Sequence, residues 1–385
     1  MPLGQTLLGP ASTKRHHEQS SASPQHSVRG TWCFARSLKR LLYIYASVGL
    51  CALLTISGCT SPKPTVIDAM PPATATMEPS SLSPLPALPY TLAFASGGEL
   101  YTISADGGDR QPLLRTVAYE NSLAWSPSGD YLAVSSTVDR NQDIVIMPIG
   151  PEGRPLAEYN LTQSPLEEEI TPAWSPDGHR LAYGLYDTVS WRIRVADLDL
   201  FDPQQAPVVS QIRTASYITQ ALRYKGHPAW SPDGEWLAYT SDANSHWQIM
   251  RVQPFGDQHE PFPGTEAFLT GTGYPANAAY PAWSPDGTQL AFATARAGGW
   301  DIYIVAADGS NPRRLTDHPA ADWHPAWSPD GAWIAFISER SGNGDLYLIR
   351  ADGTNLAQLT DTPEPEDSPC WRPPTSADNW LIFEP

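Results

Sequence analysis

Two sets of polar side chains recur at fixed distances before a repeated tryptophan. Three residues before each tryptophan the chain carries Ser122, Thr171, His227, Tyr280, His324 and Ser368. Five residues before it the chain carries Glu120, Glu169, Lys225, Ala278, Asp322 and Glu366. Imidazoles and carboxylates that converge can hold a cation or a charged ligand, and a positioned pair of them can transfer protons. Which of these chemistries is open to the chain depends on the elements that carry the side chains.

The tryptophan belongs to a repeated phrase, which is clearest at residues 281–292, PAWSPDGTQLAF. Further copies occupy residues 123–134, 172–183, 228–239 and 325–336, and a degenerate copy surrounds Trp371. Successive tryptophans are 44 to 56 residues apart, a period typical of blade-type repeats. Ser-Pro-Asp-Gly predicts a tight turn, because proline presets φ and glycine accepts positive φ. Alternating apolar residues on both sides predict a β-hairpin.

Each hairpin is followed by a third short apolar strand, at residues 99–103, 143–146, 191–195, 247–250, 301–305 and 345–349. In three copies an Asp-Gly turn and a fourth strand come next, which indicates four-stranded propeller blades. Residues 90–116 contain three strands without a tryptophan strand, and residues 368–374 contain a tryptophan strand with little after it. The sequence therefore predicts an all-β, six-bladed β-propeller whose ring is closed by strands from both ends of the chain. A seventh blade seeded at residues 380–383 would have too few residues.

The repeats resemble those of the TolB-type β-propellers, with their WD-like phrase Pro-Ala-Trp-Ser-Pro-Asp-Gly followed by Asp-Ile-Tyr, Asp-Gly and Leu-Thr. Residues 301–316 and 345–360 are the nearest to that pattern, and the resemblance covers residues 90–385. It implies a propeller that serves as an interaction module of the cell envelope. TolB itself has a separate N-terminal α/β domain, and we expect the residues before position 90 to form a leader and a tether in its place.

Residues 36–58 resemble a lipoprotein signal peptide. Basic residues precede an apolar run at 41–54, which is short for a membrane span and typical of a signal h-region. The run ends in Ile56-Ser-Gly-Cys59, similar to a bacterial lipobox, which implies diacylation of Cys59 and export to the cell membrane or outer membrane, with the domain in the periplasm or on the cell surface. The alternative is a signal peptide or anchor helix with an incidental cysteine. Residues 1–35 are interpreted as a disordered extension or a mis-assigned start.

Residues 59–89 are rich in Pro, Ser, Thr and Ala, which predicts an extended tether. Removing residues 1–58 takes away six of the 24 basic residues and one of the 41 acidic residues. The remaining surplus of acidic residues argues against nucleic acid as a partner. Of four cysteines, only Cys370 falls within residues 90–385, so we expect no internal disulfide, and we expect a monomer.

Strand alternation would place the residues five, three and one before each tryptophan on one face, at the central channel. The functional interpretation is a polar funnel that binds a ligand through Glu120, Glu169, His227, Tyr280, Asp322, His324 and Glu366. The structural interpretation is a solvated mouth bonded to water and neighbouring strands. The connections at residues 201–224 and 255–280 offer another binding surface.

Only two candidate histidines occur in these sets, so we predict neither a metal site nor a cofactor. No Gly-x-Ser-x-Gly elbow occurs, and no hydrolase domain follows the propeller. We therefore expect a non-enzymatic, lipid-anchored scaffold that binds an envelope protein or glycan through the funnel or the loops. The alternative is a propeller enzyme of the polysaccharide lyase or hydrolase type with its site in the funnel.

Overall fold

The computed structural model describes residues 82–114, 120–138, 141–199, 208–214, 224–242, 246–254, 267–270 and 277–374. These residues form strands and turns. None of the described segments forms a helix with the length and apolar character needed to cross a bilayer. The predicted leader, including Cys59, lies outside the described residues, as do most of the two long connections and the residues after Pro374.

The described strands form six antiparallel four-stranded sheets, each of which is one blade. Blade 1 comprises β24 (Glu366–Trp371), β1 (Thr91–Ser96), β2 (Glu99–Ser104) and β3 (Gln111–Leu114). Blade 2 comprises β4 (Glu120–Trp125), β5 (Tyr131–Val138), β6 (Asn141–Pro148) and β7 (Tyr159–Asn160). Blade 3 comprises β8 (Glu168–Trp174), β9 (Arg180–Tyr186), β10 (Trp191–Asp199) and β11 (Val208–Thr214). Blade 4 comprises β12 (Lys225–Trp230), β13 (Leu237–Ser241), β14 (Gln248–Val252) and β15 (Ala267–Phe268). Blade 5 comprises β16 (Ala278–Trp283), β17 (Gln289–Thr294), β18 (Asp301–Ala306) and β19 (Arg313–Arg314). Blade 6 comprises β20 (Asp322–Trp327), β21 (Trp333–Ser338), β22 (Asp345–Arg350) and β23 (Ala357–Gln358).

The ring closes as the sequence predicts. The tryptophan strand β24 pairs with β1, with Leu92 opposite Trp371 and Ser96 opposite Glu366. The tryptophan strands contact one another in a closed cycle, so they form the innermost circle. Closure removes two sheet edges that would otherwise expose unpaired backbone groups. The predicted six-bladed fold is confirmed.

The repeated phrase forms the predicted hairpin in each complete copy. In blade 5, for example, Trp283 pairs with Leu290 across the turn. Gly287 at the turn has φ of 70°, where a side chain would be strained. The tryptophan indole connects neighbouring blades, because Trp283 donates its Nε1 hydrogen to the carbonyl of Ala229 in blade 4 at 3.2 Å.

Six apolar clusters hold the ring together, and each one lies between two adjacent blades. Between blades 2 and 3 the cluster joins Tyr131 and Ile144 to Trp174 and Tyr183. Side chains on both faces of every sheet are therefore buried, which explains the long buried runs in the second and third strands. The end of the predicted tether also packs here, since Leu85 and Leu88 lie against the cluster between blades 6 and 1.

Candidate functional site

A bulge interrupts the innermost strand of five blades at the same place. In blade 4, Gly226 pairs with Thr240 and Ala229 with Ala238, so three steps on one strand oppose two on the other. The residue three before the tryptophan has left-handed backbone geometry, with φ between 49° and 59°, at Thr171, His227, Tyr280, His324 and Ser368. A proline follows each of these residues. Proline is tolerated in sheets at edges and bulges, which is where these prolines lie.

The six tryptophan strands begin at a common edge of the ring, which we call the mouth face; the Ser-Pro-Asp-Gly turns lie at the opposite edge, the turn face. Near the mouth face the bulges bring together three rings, His227, Tyr280 and His324, which we call the mouth cluster. The ring centroids of His227 and Tyr280 are 4.4 Å apart, and those of Tyr280 and His324 are 3.9 Å apart, both edge to face. All three side chains are partly buried. Blades 4, 5 and 6 thus contribute one ring each to a contiguous aromatic surface.

Hydrogen bonds fix the mouth cluster in place. Tyr224 Oη lies 3.2 Å from Nδ1 of His227. The Nδ1 atom of His324 contacts a carboxylate oxygen of Asp367 in blade 1. An aspartate on Nδ1 orients an imidazole and leaves its Nε2 edge for another partner.

Backbone donors at the bulges are also satisfied by hydroxyls of the preceding blade. The N–H of His227 donates to Oγ1 of Thr171 at 3.2 Å, and the N–H of Tyr280 donates to Oγ1 of Thr240 at 3.2 Å. In blade 3, the N–H of Thr171 donates to Oγ of Ser122 at 3.0 Å. A strained backbone conformation persists only where the surrounding structure enforces it, and these hydrogen bonds help to enforce it.

The residues five before the tryptophan do not line an accessible funnel, so that part of the prediction from strand alternation is wrong. Glu169 and Asp322 are fully buried, and Glu366 is 2% exposed. The extra residue in the bulge turns each of these side chains to the face that carries the tryptophan, between two blades. Lys225 and Ala278 are buried in the same way. For Glu120 the structure describes the backbone alone.

The buried acids instead meet a second carboxylate in the preceding blade. Burial and the nearby Asp143 raise the pKa of Glu169 to about 8. Burial raises the pKa of Asp301 to about 6 although Arg314 opposes the shift, and Asp322 adds to it. The pKa of Glu366 is also raised by burial, while hydroxyls of Thr362 and Thr360 oppose the rise. These acids therefore lie buried at the junctions between blades and do not contact a ligand in the channel.

Four further rings extend from the mouth cluster, and the repeat pattern did not predict them as a unit. Tyr186, Trp191, Tyr224 and Trp247 form a row, with successive ring centroids 5.0, 5.1 and 5.2 Å apart. All four are partly buried. The sequence could have indicated two of these rings by their position in the repeat. Trp191 opens the third strand of blade 3, and Trp247 directly precedes the third strand of blade 4.

No group of three His, Cys, Asp or Glu side chains in the described ranges is arranged to hold a metal ion. The aromatic rings of the mouth cluster, with their imidazole nitrogens and phenol hydroxyl, are suited to recognition of a partner by contact and hydrogen bonding. The described residues give no observation that favours the lyase or hydrolase alternative.

Comparison with known proteins agrees with the architecture. The family model for the TolB beta propeller domain matches residues 265–381. The uncharacterized protein Atu1656 of Agrobacterium fabrum is 27% identical over 244 residues, which are 59% of this chain and 72% of that protein. The Tol-Pal system protein TolB of Anaeromyxobacter dehalogenans is 37% identical over 96 residues, which are 23% of this chain and 18% of that protein.

The crystal structure of TolB from Acinetobacter baumannii is similar at a TM-score of 0.60, with 20% identity over 74% of this chain and 67% of that chain. At this identity the similarity concerns the fold. Together with the repeated phrase and the domain model that matches residues 265–381, it shows a six-bladed β-propeller that is similar to the TolB propellers.

Proposed function

We propose that the chain is a non-enzymatic module that binds a protein partner of the bacterial cell envelope at its mouth face. The observation that carries this proposal is the mouth cluster itself. Three aromatic rings from three blades are held on left-handed residues, remain partly exposed, and are oriented by Asp367 and Tyr224. Rigid, partly exposed aromatic groups are the anchors that protein interfaces favour.

The experiment is a comparison of partner binding with and without the two imidazoles. Cross-linking in intact cells followed by mass spectrometry identifies the attached protein. The double variant His227→Ala with His324→Ala is then titrated with that protein, and we expect a loss of at least tenfold in affinity, which equals about 1.4 kcal/mol. Stability should change little, because these side chains are partly exposed.

His179→Ala supplies a matched control, because His179 is exposed in a turn on the turn face. It should bind the partner as the parent protein does. An unchanged affinity in the double variant would place the partner elsewhere, and the connections at residues 201–224 and 255–280 would become the sites to test. If the cross-linking experiment recovers a glycan instead of a protein, the partner is a glycan and the proposal of a protein partner is wrong.

We further propose that Cys59 anchors the protein as a lipoprotein, with residues 59–89 as the tether. The supporting observation is the Ile56-Ser-Gly-Cys59 ending of the apolar run. Two acyl chains on one cysteine suffice for stable membrane attachment. Metabolic labelling with a fatty acid should mark the parent protein and leave Cys59→Ala unlabelled. Equal labelling of both proteins, or of neither, would overturn the anchor at Cys59.

A further inference from the structure

The row of four rings beside the mouth cluster, Tyr186, Trp191, Tyr224 and Trp247, is here called the aromatic strip. Tyr224 and Trp247 are stacked, with an interplanar angle of 9°, whereas the other two contacts in the strip are tilted. The strip joins the mouth cluster, because the ring centroids of Tyr224 and His227 are 5.9 Å apart. Mutual packing of this kind holds the rings in fixed positions before any partner arrives.

The strip follows the mouth face across blades 3 and 4. Tyr186 ends β9 and pairs with Glu168 at the start of β8, while Trp191 pairs with Tyr186 from the other side. Tyr224 directly precedes β12, and Trp247 directly precedes β14. The three centroid distances give the strip a length of at most about 15 Å, which corresponds to roughly five residues of extended chain.

Exposed aliphatic side chains lie at the mouth-face edge of blade 3, which carries Tyr186 and Trp191. Leu166 is 74% exposed and Val189 is 67% exposed, the two most exposed large hydrophobic residues in the described part of the chain. Leu166 lies just before β8, and Val189 lies in the turn that joins Tyr186 to Trp191. Both therefore belong to the same edge of the same blade. Apolar side chains grouped with aromatic rings mark an interaction surface more often than scattered ones do.

One acidic side chain, Glu168, supplies a negative charge beside the strip. Arg192 pairs with Asp187, and Arg194 pairs with Glu167, so these four charges compensate one another. Glu168 is partly buried, and its carboxylate has no hydrogen-bond or ion-pair partner among the described side chains. The chain as a whole has a formal net charge of −17. A cation on a partner would thus be attracted both by Glu168 and by the faces of the rings.

We propose that the aromatic strip docks an extended segment of a partner protein in which lysine or arginine alternates with aliphatic residues. The aliphatic side chains contact Leu166 and Val189, and the cations lie over the rings and near Glu168. This inference rests on the proposed protein-binding function of the mouth face and specifies the chemistry of the partner there. An acidic segment would meet uncompensated negative charge, and a neutral one would gain nothing from Glu168.

The test uses the full chain and capped heptapeptides in which leucine alternates with arginine, glutamate or glutamine. Binding is measured by titration calorimetry and by tryptophan fluorescence at low and high salt. We expect the arginine peptide to bind most tightly, with affinity that falls severalfold as salt rises, because exposed charges are screened. Trp191→Leu and Glu168→Gln should each weaken it, by about tenfold and about threefold, as loss of a cation–π contact and of one exposed charge predict.

Trp236→Leu is the matched control, because Trp236 is a partly buried tryptophan on the turn face of blade 4, in contact with Arg251. It should leave peptide binding unchanged. Equal binding of the glutamate peptide, or indifference to both strip variants, would overturn the inference. So would binding of a neutral chitin tetrasaccharide that depends on Trp191 while the arginine peptide does not bind.

The two proposals fail separately. The double variant His227→Ala with His324→Ala should still bind the arginine peptide, because Tyr224 loses its contact with His227 but keeps its packing against Trp191 and Trp247. If that variant keeps full affinity for the cross-linked partner, the mouth cluster is not the binding site, whatever the peptide does. If it loses the partner while the strip variants bind the peptide normally, the mouth cluster stands and the strip inference is wrong.

Discussion

Two blade junctions solve the same electrostatic problem in different ways. Between blades 2 and 3, buried Glu169 lies near buried Asp143; between blades 5 and 6, buried Asp322 lies near buried Asp301. Each pair joins the residue five before a tryptophan to an aspartate in the third strand of the preceding blade. Two carboxylates in a low-dielectric junction cannot both remain charged without compensation.

The junction between blades 2 and 3 is compensated by a proton. Neither carboxylate oxygen of Glu169 accepts a hydrogen bond from a described donor. Asp143 accepts hydrogen bonds from Asn160 at 2.7 Å and from Asn141 at 3.3 Å. Burial, with repulsion from Asp143 and Glu167, raises the pKa of Glu169 to about 8. At neutral pH Glu169 is therefore protonated.

The junction between blades 5 and 6 is compensated by arginine. Nη2 of Arg340 lies 3.0 Å from both carboxylate oxygens of Asp322, and Nη2 of Arg314 lies 2.9 Å from Asp301. The pKa of Asp301 is raised only to about 6, because Arg314 opposes the effect of burial. A fixed cation thus holds the pKa of Asp301 below neutral pH. The same backbone position is pH-sensitive in one junction and salt-bridged in the other.

The largest effect is expected from removing the cation. Arg340→Met leaves Asp322 buried beside Asp301 without its arginine partner, and loss of one member of a buried pair costs about 3–5 kcal/mol. The free energy of unfolding, from urea denaturation at pH 7, should fall by that amount. The double variant Arg340→Met with Asp322→Asn should recover much of it. A loss below about 1 kcal/mol in the single variant would show that water compensates Asp322.

A smaller effect, opposite in its pH dependence to a salt bridge, is expected at Glu169. Its folded-state pKa of about 8 is above the ordinary value of 4.5. The stabilisation is therefore complete below the unfolded-state pKa and is lost as pH rises through about 8. Unfolding free energy should fall by at most about 4 kcal/mol from pH 5 to pH 9, since about three pH units separate pH 5 from the folded-state pKa of about 8 and each corresponds to about 1.4 kcal/mol.

Glu169→Gln keeps the shape and removes the titration, so its stability should be nearly independent of pH over that interval. Asp199→Asn provides a control for the general effect of charge, because Asp199 is exposed at the end of β10. It should retain the parent pH dependence. A parent protein whose stability rises with pH would contradict a protonated Glu169.

The sequence was sufficient for the fold because its information is local and repeated. Ser-Pro-Asp-Gly sets each turn, and Trp371 without downstream strands requires pairing with residues 91–96. The burial of Glu169 and Asp322 was not predicted, because strict alternation of side chains along a strand takes no account of the extra residue in each bulge. Pro172 and Pro325 carried that signal, since proline inside a strand marks a bulge or an edge. The aromatic strip was missed because its rings come from different blades and meet only after closure.

The smallest effect tests how Arg194 is divided between two acids. Arg194 pairs with Glu167 at 2.9 Å, and it also lowers the pKa of Glu169, against the rise caused by burial. In Glu167→Gln a repelling charge is removed and Arg194 loses its partner, so both changes favour ionised Glu169. The fall of unfolding free energy with pH should begin at lower pH, while stability at pH 5 changes by about 1 kcal/mol or less, as for partly exposed pairs. Glu168→Gln, one residue away and without a contact to Arg194 among the described residues, should leave that midpoint in place. An unmoved midpoint in Glu167→Gln would mean that burial and Asp143 set the protonation of Glu169, and that Arg194 has no part in it.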